Sequence, residues 1–328
     1  MSDRARIFAT RSLAGAPLAG LAHRCDLDVW PARTAPTPEQ LASRSRDADG
    51  LLCLLTDRID AALLERCPRL RAVSSVSVGV DHVDLDAATA RGIPVGHTPG
   101  VLTETTADLA FALLLAAARR VAEGDRFVRA GEWTPDRVWE PDLLLGRDVH
   151  GATLGLVGLG AIGQAMARRA QGFGMRVLAW SRTRRDMPGV AFASLDSLLP
   201  AADFVSVHVA LNADTRGLLG ESALARMKPG AVLVNTARGG IVDEDALADA
   251  LRSGQLGAAG LDVFAREPLD PASPLLRLPN VVLTPHIGSA SEATRARMVE
   301  LAVENLLAAL AGNPMPHCAN PAVYARPT

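Results

Sequence analysis

What this chain lacks narrows the field before any motif is read. Its cysteines, Cys25, Cys53, Cys67 and Cys318, form no C-x-x-C pair and no metal-ligand spacing. They read as small buried hydrophobes of a reduced, cytoplasmic protein with no metal centre. Large charge of either sign is missing too. With a formal net charge of −2, no field favours nucleic acid or an anionic membrane surface. The longest apolar run, Leu109 to Ala118, has ten residues, where a membrane span needs about 20. Only Ile7 and Phe8 are strongly apolar before Thr10, too little for a signal-peptide core. Solenoid repeats and low-complexity tracts are also absent. What remains is a globular composition, 48% hydrophobic and 21% charged, over 328 residues, long enough for two domains.

Strand-like and helix-like stretches alternate throughout. In the N-terminal part, residues 6–9, 27–30, 50–55 and 71–75 read as buried parallel strands. Between them, Thr37-Pro38-Glu39-Gln40 has the form of a capping box with proline at the first helical position. An apolar helix is expected over 103–120, bridging to or packing on a second domain. Residues 131–150, with Trp133, Pro135, Trp139 and Pro141, show little periodicity, and so long an irregular stretch is usually functional or interfacial. A second alternation follows, with strands expected at 153–157, 176–179, 204–207, 231–235, 258–261 and 281–283. A last helix over 292–311 stops at Gly312. Alternating β and α implies an α/β fold of two doubly wound parallel sheets.

The second alternation carries a cofactor signal. Gly158-Leu159-Gly160-Ala161-Ile162-Gly163 is G-x-G-x-x-G placed after a strand and before a helix. In that context the glycines allow a tight turn, backbone approach to a pyrophosphate and close helix–strand packing. The phosphates would rest on N–H groups at the helix start. The next strand ends at Ser181, 23 positions after Gly158, about where NAD enzymes carry an acid for the ribose 2′-hydroxyl. Here the chain reads Ser181-Arg182-Thr183-Arg184-Arg185. Donors of this kind suit a 2′-phosphate, which a carboxylate would repel. NADP(H) is therefore the expected cofactor, with NAD(H) as the alternative, and a solvated basic turn is the plainer reading of the same residues.

Arg238, Glu267 and His286 follow strand ends in this half, where open α/β sheets hold ligands. Reduction of a 2-keto acid needs a proton donor for the carbonyl oxygen, which imidazolium supplies near neutral pH. Guanidinium suits the substrate carboxylate and carbonyl, and a carboxylate beside the imidazole would favour its charged form. Singly, each has another reading: a core histidine, a surface glutamate before proline, a salt-bridge arginine. Their joint placement after the glycine motif favours the catalytic one.

Gly-Leu-Gly-x-Ile-Gly, Asn235-Thr236-Ala237-Arg238-Gly239, Gly260-Leu261-Asp262-Val263-Phe264, Glu267-Pro268 and Pro285-His286-Ile287-Gly288-Ser289 together resemble the D-isomer-specific 2-hydroxyacid dehydrogenases. Leu51 to Leu55, Ser77 to His82, Thr98-Pro99 and Val101-Leu102-Thr103 resemble the branch acting on glyoxylate and hydroxypyruvate. The resemblance implies a Rossmann cofactor domain, residues 101–289, inserted in a flavodoxin-like substrate domain, residues 1–100 and 290–328. It implies Arg238, Glu267 and His286 as catalytic residues. Substrate would be held by N–H groups at Val78 and Gly79, with Leu55 and Ser289 lining the pocket. Cofactor contacts would come from Thr106, Gly158, Gly160, Ala161, Ile162, Gly163, Ser181, Arg182, Thr183, Thr236, Ala237, Asp262 and Gly288. Trp139 matches a tryptophan that reaches the neighbouring subunit's site in a homodimer. Ala161 departs from the pattern, standing where an arginine often sits beside the pyrophosphate. Two alternatives remain: another D-2-hydroxyacid dehydrogenase of phosphoglycerate or phenylpyruvate type, and a nicotinamide-gated binding protein of the corepressor kind.

Overall fold

Short apolar stretches flanked by turns pair into strands at both levels of the chain. The computed structural model describes residues 4–13 and 16–325. It divides into two units, Met1–Leu102 with Ala290–Thr328, and Thr103–Ser289.

The first unit holds β1 (Arg6–Ala9), β2 (Asp26–Val29), β3 (Gly50–Cys53), β4 (Ala72–Ser75) and β5 (Val95–Gly96). All pair in parallel, in the order β2-β1-β3-β4-β5, the flavodoxin-like arrangement. Alternate residues feed opposite faces, as the two-residue period of a strand requires. Phe8, Leu51, Cys53 and Val73 enter one core, and Ile7, Ala9, Leu52 and Ala72 the other. Helix Glu292–Leu310 covers the second face with Met298, Val299, Ala302, Val303 and Leu306. Fully burying a side chain the size of valine, leucine or methionine contributes about 1.5–3 kcal/mol. The expected capping box forms: Thr37 Oγ1 accepts from Gln40 N–H, and Gln40 Oε1 accepts from Thr37 N–H.

The second unit holds β6 (Thr153–Val157), β7 (Arg176–Trp180), β8 (Val190–Phe192), β9 (Phe204–Val207), β10 (Ala231–Asn235), β11 (Leu256–Leu261) and β12 (Val281–Leu283). They form one parallel sheet in the order β12-β11-β10-β9-β6-β7-β8. The winding reverses between β6 and β9, which places a ligand crevice at their carboxyl ends. Helix Thr103–Ala118 packs on this sheet, one of the two placements expected for it. Its Ala107, Ala110, Phe111, Leu114 and Ala117 are buried with Leu154, Leu156, Val232 and Val234 in this unit's own core.

Among the elements that escaped the sequence reading, three have plain physical reasons. The short edge strand β5 follows Pro94, β8 is half-exposed, and helix Val121–Arg129 buries no residue. No helix among the described residues is long and apolar enough to cross a membrane.

Candidate active site

The glycine motif lies between β6 and helix Ala161–Gly172. A Cβ on Gly163 would sit 2.1 Å from the Gly158 carbonyl oxygen, so the helix can start this close to the strand only without a side chain there. At Gly160 the same space is open, with no heavy atom within 4 Å, and no side chain caps the helix at this position. An uncapped helix start beside open space fits a pyrophosphate. Thr236, just past β10, adds a buried hydroxyl with no hydrogen-bond partner among the described residues. These features fit a dinucleotide. Ala161 is exposed and Ile162 half-buried at the same helix start.

After β7, Ser181 Oγ donates to the Thr183 carbonyl at 2.7 Å, closing a local turn. Arg182 and Thr183 are exposed, and the Arg182 guanidinium lies 3.9 Å from the Asp214 carboxylate. An ion pair that open is worth little.

A different degree of order prevails at the ends of β10, β11 and β12. Asn235 braces the loop after β10: its Nδ2 donates to the Arg238 carbonyl at 2.9 Å and its Oδ1 accepts from Ala237 N–H at 3.0 Å. A Cβ on the following Gly239 would meet the Phe264 carbonyl carbon at 1.8 Å, so this loop packs directly on the turn carrying Glu267. Glu267 Oε1 accepts from Phe264 N–H at 3.0 Å, while Oε2 accepts from His286 Nδ1 at 2.7 Å. Burial alone would push the Glu267 carboxyl up. The His286 hydrogen bond, the Phe264 N–H and the charges of His286 and Arg238 outweigh it and hold the group below the ordinary glutamate range.

His286 takes a left-handed backbone, φ 54°, uncommon outside glycine. Its N–H donates to the carbonyls of Asp262 and Thr284, which holds that conformation. Asp262 is 1% exposed, and its carboxylate accepts from Thr284 Oγ1 (2.6 Å), Ile287 N–H (2.8 Å) and Gly288 N–H (2.8 Å). Thr106 Oγ1 then donates to the Gly288 carbonyl at 3.1 Å. One buried carboxylate thus sets the peptide on which the imidazole is mounted.

The other expected substrate contacts are distributed between the units. Ser289 ends the second unit, half-buried. Leu55 lies in the turn after β3, and Val78 and Gly79 in the loop after β4, all half-buried in the first unit. Trp139 is 80% exposed in the irregular segment before β6, near Pro135–Arg137 in sequence.

Sequence reasoning missed Thr284, Glu244 and His208. Glu244 accepts from Ala265 N–H behind the Glu267 turn, and burial, then Asp245, Glu267 and Asp243, push its carboxyl up. Burial pushes the His208 imidazole down to about 3, so it stays neutral where it backs the glycine turn. No spacing rule marks these three; only the packing does. Among the described residues no group of His, Cys, Asp and Glu is arranged to hold a metal.

Residues 111–288 match the D-isomer specific 2-hydroxyacid dehydrogenase, NAD binding domain. A glyoxylate reductase of Korarchaeum cryptofilum is 50% identical over 319 residues, 96% of each chain. A crystal structure of a Thermus thermophilus protein superposes at TM-score 0.90 with 53% identity, over 96% of this chain and 99% of that one. The NADPH-dependent glyoxylate/hydroxypyruvate reductase of Sinorhizobium meliloti, crystallised with NADP and malonate, superposes at TM-score 0.88 with 34% identity, over 99% of this chain and 100% of its own.

Proposed function

This chain belongs to the D-isomer-specific 2-hydroxyacid dehydrogenases, and from that premise we propose that it reduces glyoxylate and hydroxypyruvate to the 2-hydroxy acids, of D configuration where C2 is a stereocentre, with NADPH as reductant. The observation that carries this reading is the 2.7 Å hydrogen bond between His286 Nδ1 and Glu267 Oε2. With Nδ1 engaged by a carboxylate, Nε2 is the ring nitrogen left to serve the substrate oxygen.

When bound, NADPH supplies hydride to the substrate C2. His286 gives its Nε2 proton to the C2 oxygen, so that the carbonyl becomes a hydroxyl. In the reverse direction the neutral ring takes that proton back. Glu267 keeps the ring oriented and stabilises its cationic form. Arg238 binds the substrate carboxylate and polarises the carbonyl, and N–H groups at Val78 and Gly79 hold the same carboxylate. Leu55 and Ser289 line the pocket.

Gly158, Gly160, Ala161, Ile162 and Gly163 hold the pyrophosphate. Thr106, Thr236, Ala237, Asp262 and Gly288 support the nicotinamide end. Arg182 and Thr183 donate to the 2′-phosphate, joined by Ser181 once its hydroxyl leaves the Thr183 carbonyl, and set the preference for NADP(H) over NAD(H). Residues 101–289 form the cofactor domain, and residues 1–100 with 290–328 the substrate domain.

The working form is a homodimer in which Trp139 closes the partner's pocket. Support comes from an apolar surface exposed around this segment, with Trp133, Val138, Trp139 and Leu145. Sedimentation gives the assembly state; a fully active monomer removes the dimer from this reading.

Loss of NADPH absorbance with a panel of 2-keto acids tests the whole proposal. Rapid turnover of glyoxylate and hydroxypyruvate is expected, with weaker use of NADH. Turnover confined to 3-phosphohydroxypyruvate or phenylpyruvate reassigns the substrate, and none with any keto acid overturns the enzyme reading.

A further inference from the structure

The loop that would hold the substrate carboxylate is tied down from behind. Three consecutive peptide units, joining Ser77 to Val78, Val78 to Gly79 and Gly79 to Val80, each have their carbonyl engaged within the first unit. Ser77 O accepts from Thr98 N–H at 2.8 Å. Val78 O is bonded to His97 Nδ1 at 3.0 Å. Gly79 O accepts from Ser77 Oγ at 2.7 Å. In a trans peptide the carbonyl and the N–H point in opposite directions. The N–H groups of Val78, Gly79 and Val80 are therefore turned away from Thr98, His97 and Ser77 respectively. Among the described residues none of these three N–H groups has an acceptor, and all three residues are half-buried. An N–H so left calls for a partner from outside the chain.

We infer that His97 and Ser77 are positioning residues that aim the N–H groups of Gly79 and Val80 at the substrate carboxylate, so that Val80 joins the Val78 and Gly79 donors of the keto-acid reading on which this inference rests.

The protons of this network can be assigned. A carbonyl only accepts, so His97 carries hydrogen on Nδ1. Ser77 spends its single hydroxyl proton on Gly79 O, so at the 2.7 Å contact with Ser75 Oγ it must accept. Ser75 has then donated its own proton, and at its 3.0 Å contact with His82 Nε2 the imidazole must be the donor. Ser75 and Ser77 are both buried, so the order of donors has little water to compete with it. His97 is itself braced. Its N–H donates to the His317 carbonyl, and its carbonyl accepts from Asn305 Nδ2 at 2.9 Å. Asn305, fully buried, also accepts from His317 N–H at 2.9 Å. The imidazole is thus held by its own backbone, and the anion-binding peptide is held by the imidazole.

The test compares His97→Asn, whose amide nitrogen can stand near the place of Nδ1, with His97→Gln and His97→Phe. In steady-state assays with glyoxylate and NADPH, His97→Phe and His97→Gln should raise the KM for the keto acid about tenfold. The KM for NADPH should not move, and His97→Asn should recover most of the loss. Ser77→Ala should raise the keto-acid KM by a similar factor, while Ser77→Thr restores it. Without substrate, amide NMR should show the Gly79 resonance displaced in His97→Phe and returned towards wild type in His97→Asn. A wild type that turns over no keto acid overturns the functional reading; the NMR comparison still decides the positioning role. If His97→Phe does not fold, the contrast between Asn and Gln decides it. Equal KM values and equal Gly79 shifts for the Asn and Gln variants would overturn the proposal.

Discussion

Two groups of polar residues follow strand ends in the second sheet, and they are built to opposite standards. Beyond β10, β11 and β12, Arg238, Glu267 and His286 are held through Asn235, Phe264 N–H and the buried Asp262. Beyond β7, Ser181 bonds only within its own turn and Arg182 faces Asp214 across an exposed gap. On the proposed function, the difference follows from what each place would have to do. A proton moves only when donor and acceptor are set within hydrogen-bond reach, so the first group is fixed before substrate arrives. A phosphate can be gripped by flexible cations that close on it, so the second group needs charge more than geometry.

Breaking the ordered group should have the largest effect. His286→Ala is expected to lower kcat in both directions by roughly 10²–10⁴-fold at every pH, the usual range for losing a general acid–base. Arg238→Lys keeps the charge but loses the planar fork, and kcat/KM should fall about a hundredfold. Near wild-type activity in either variant would make that residue structural.

Glu267→Gln keeps the shape while removing the charge. Reduction, which needs the imidazole protonated, should fall about tenfold, and oxidation by less. Stability sharpens the point. The Glu267 carboxyl lies below its unfolded value near 4.5. The pair therefore adds stability above that pH and loses it as the pH falls through the lower folded value. Wild type and Glu267→Gln should differ in denaturant midpoint at about pH 5 to 6 and converge in more acid solution. A gap that widens towards low pH would mean that Glu267 is not held ionised by its neighbours.

The loosely ordered turn should give the smallest and most selective effect. Arg182→Ala should weaken NADPH about tenfold and leave NADH nearly untouched. Equal losses for both cofactors would mean that the turn supports the fold and does not read the 2′-phosphate.

The contrast also explains what could be read from the chain alone. Strands such as Phe204–Val207 and Ala231–Asn235 were legible because both faces are buried and the apolar run is continuous. Helix Thr103–Ala118 was legible as a helix, but its apolar circumference could not say which core it fills. The glycine motif and the three catalytic candidates were legible because their chemistry demands particular residue types. Asp262 as the support of His286, and His97 behind Val78, were not legible as such. A hydrogen bond between residues far apart in sequence leaves no periodicity, and its partners become visible only once the sheets have formed.

The first unit is assembled from both ends of the chain, and helix Glu292–Leu310 supplies one wall of its core. During synthesis this reverses the usual order, in which the N-terminal part folds first. The strands β1 to β4 leave the ribosome early, yet Ile7, Leu52 and Ala72 lack much of their packing until residues beyond 290 emerge. The inserted unit, one continuous stretch from Thr103 to Ser289, can close before them. The part made first is thus completed last, and a nascent chain halted near residue 290 would carry a finished cofactor-type sheet behind a sheet with one apolar face covered only in part, by Leu18 and Leu21, the species a chaperone would be called on to shield.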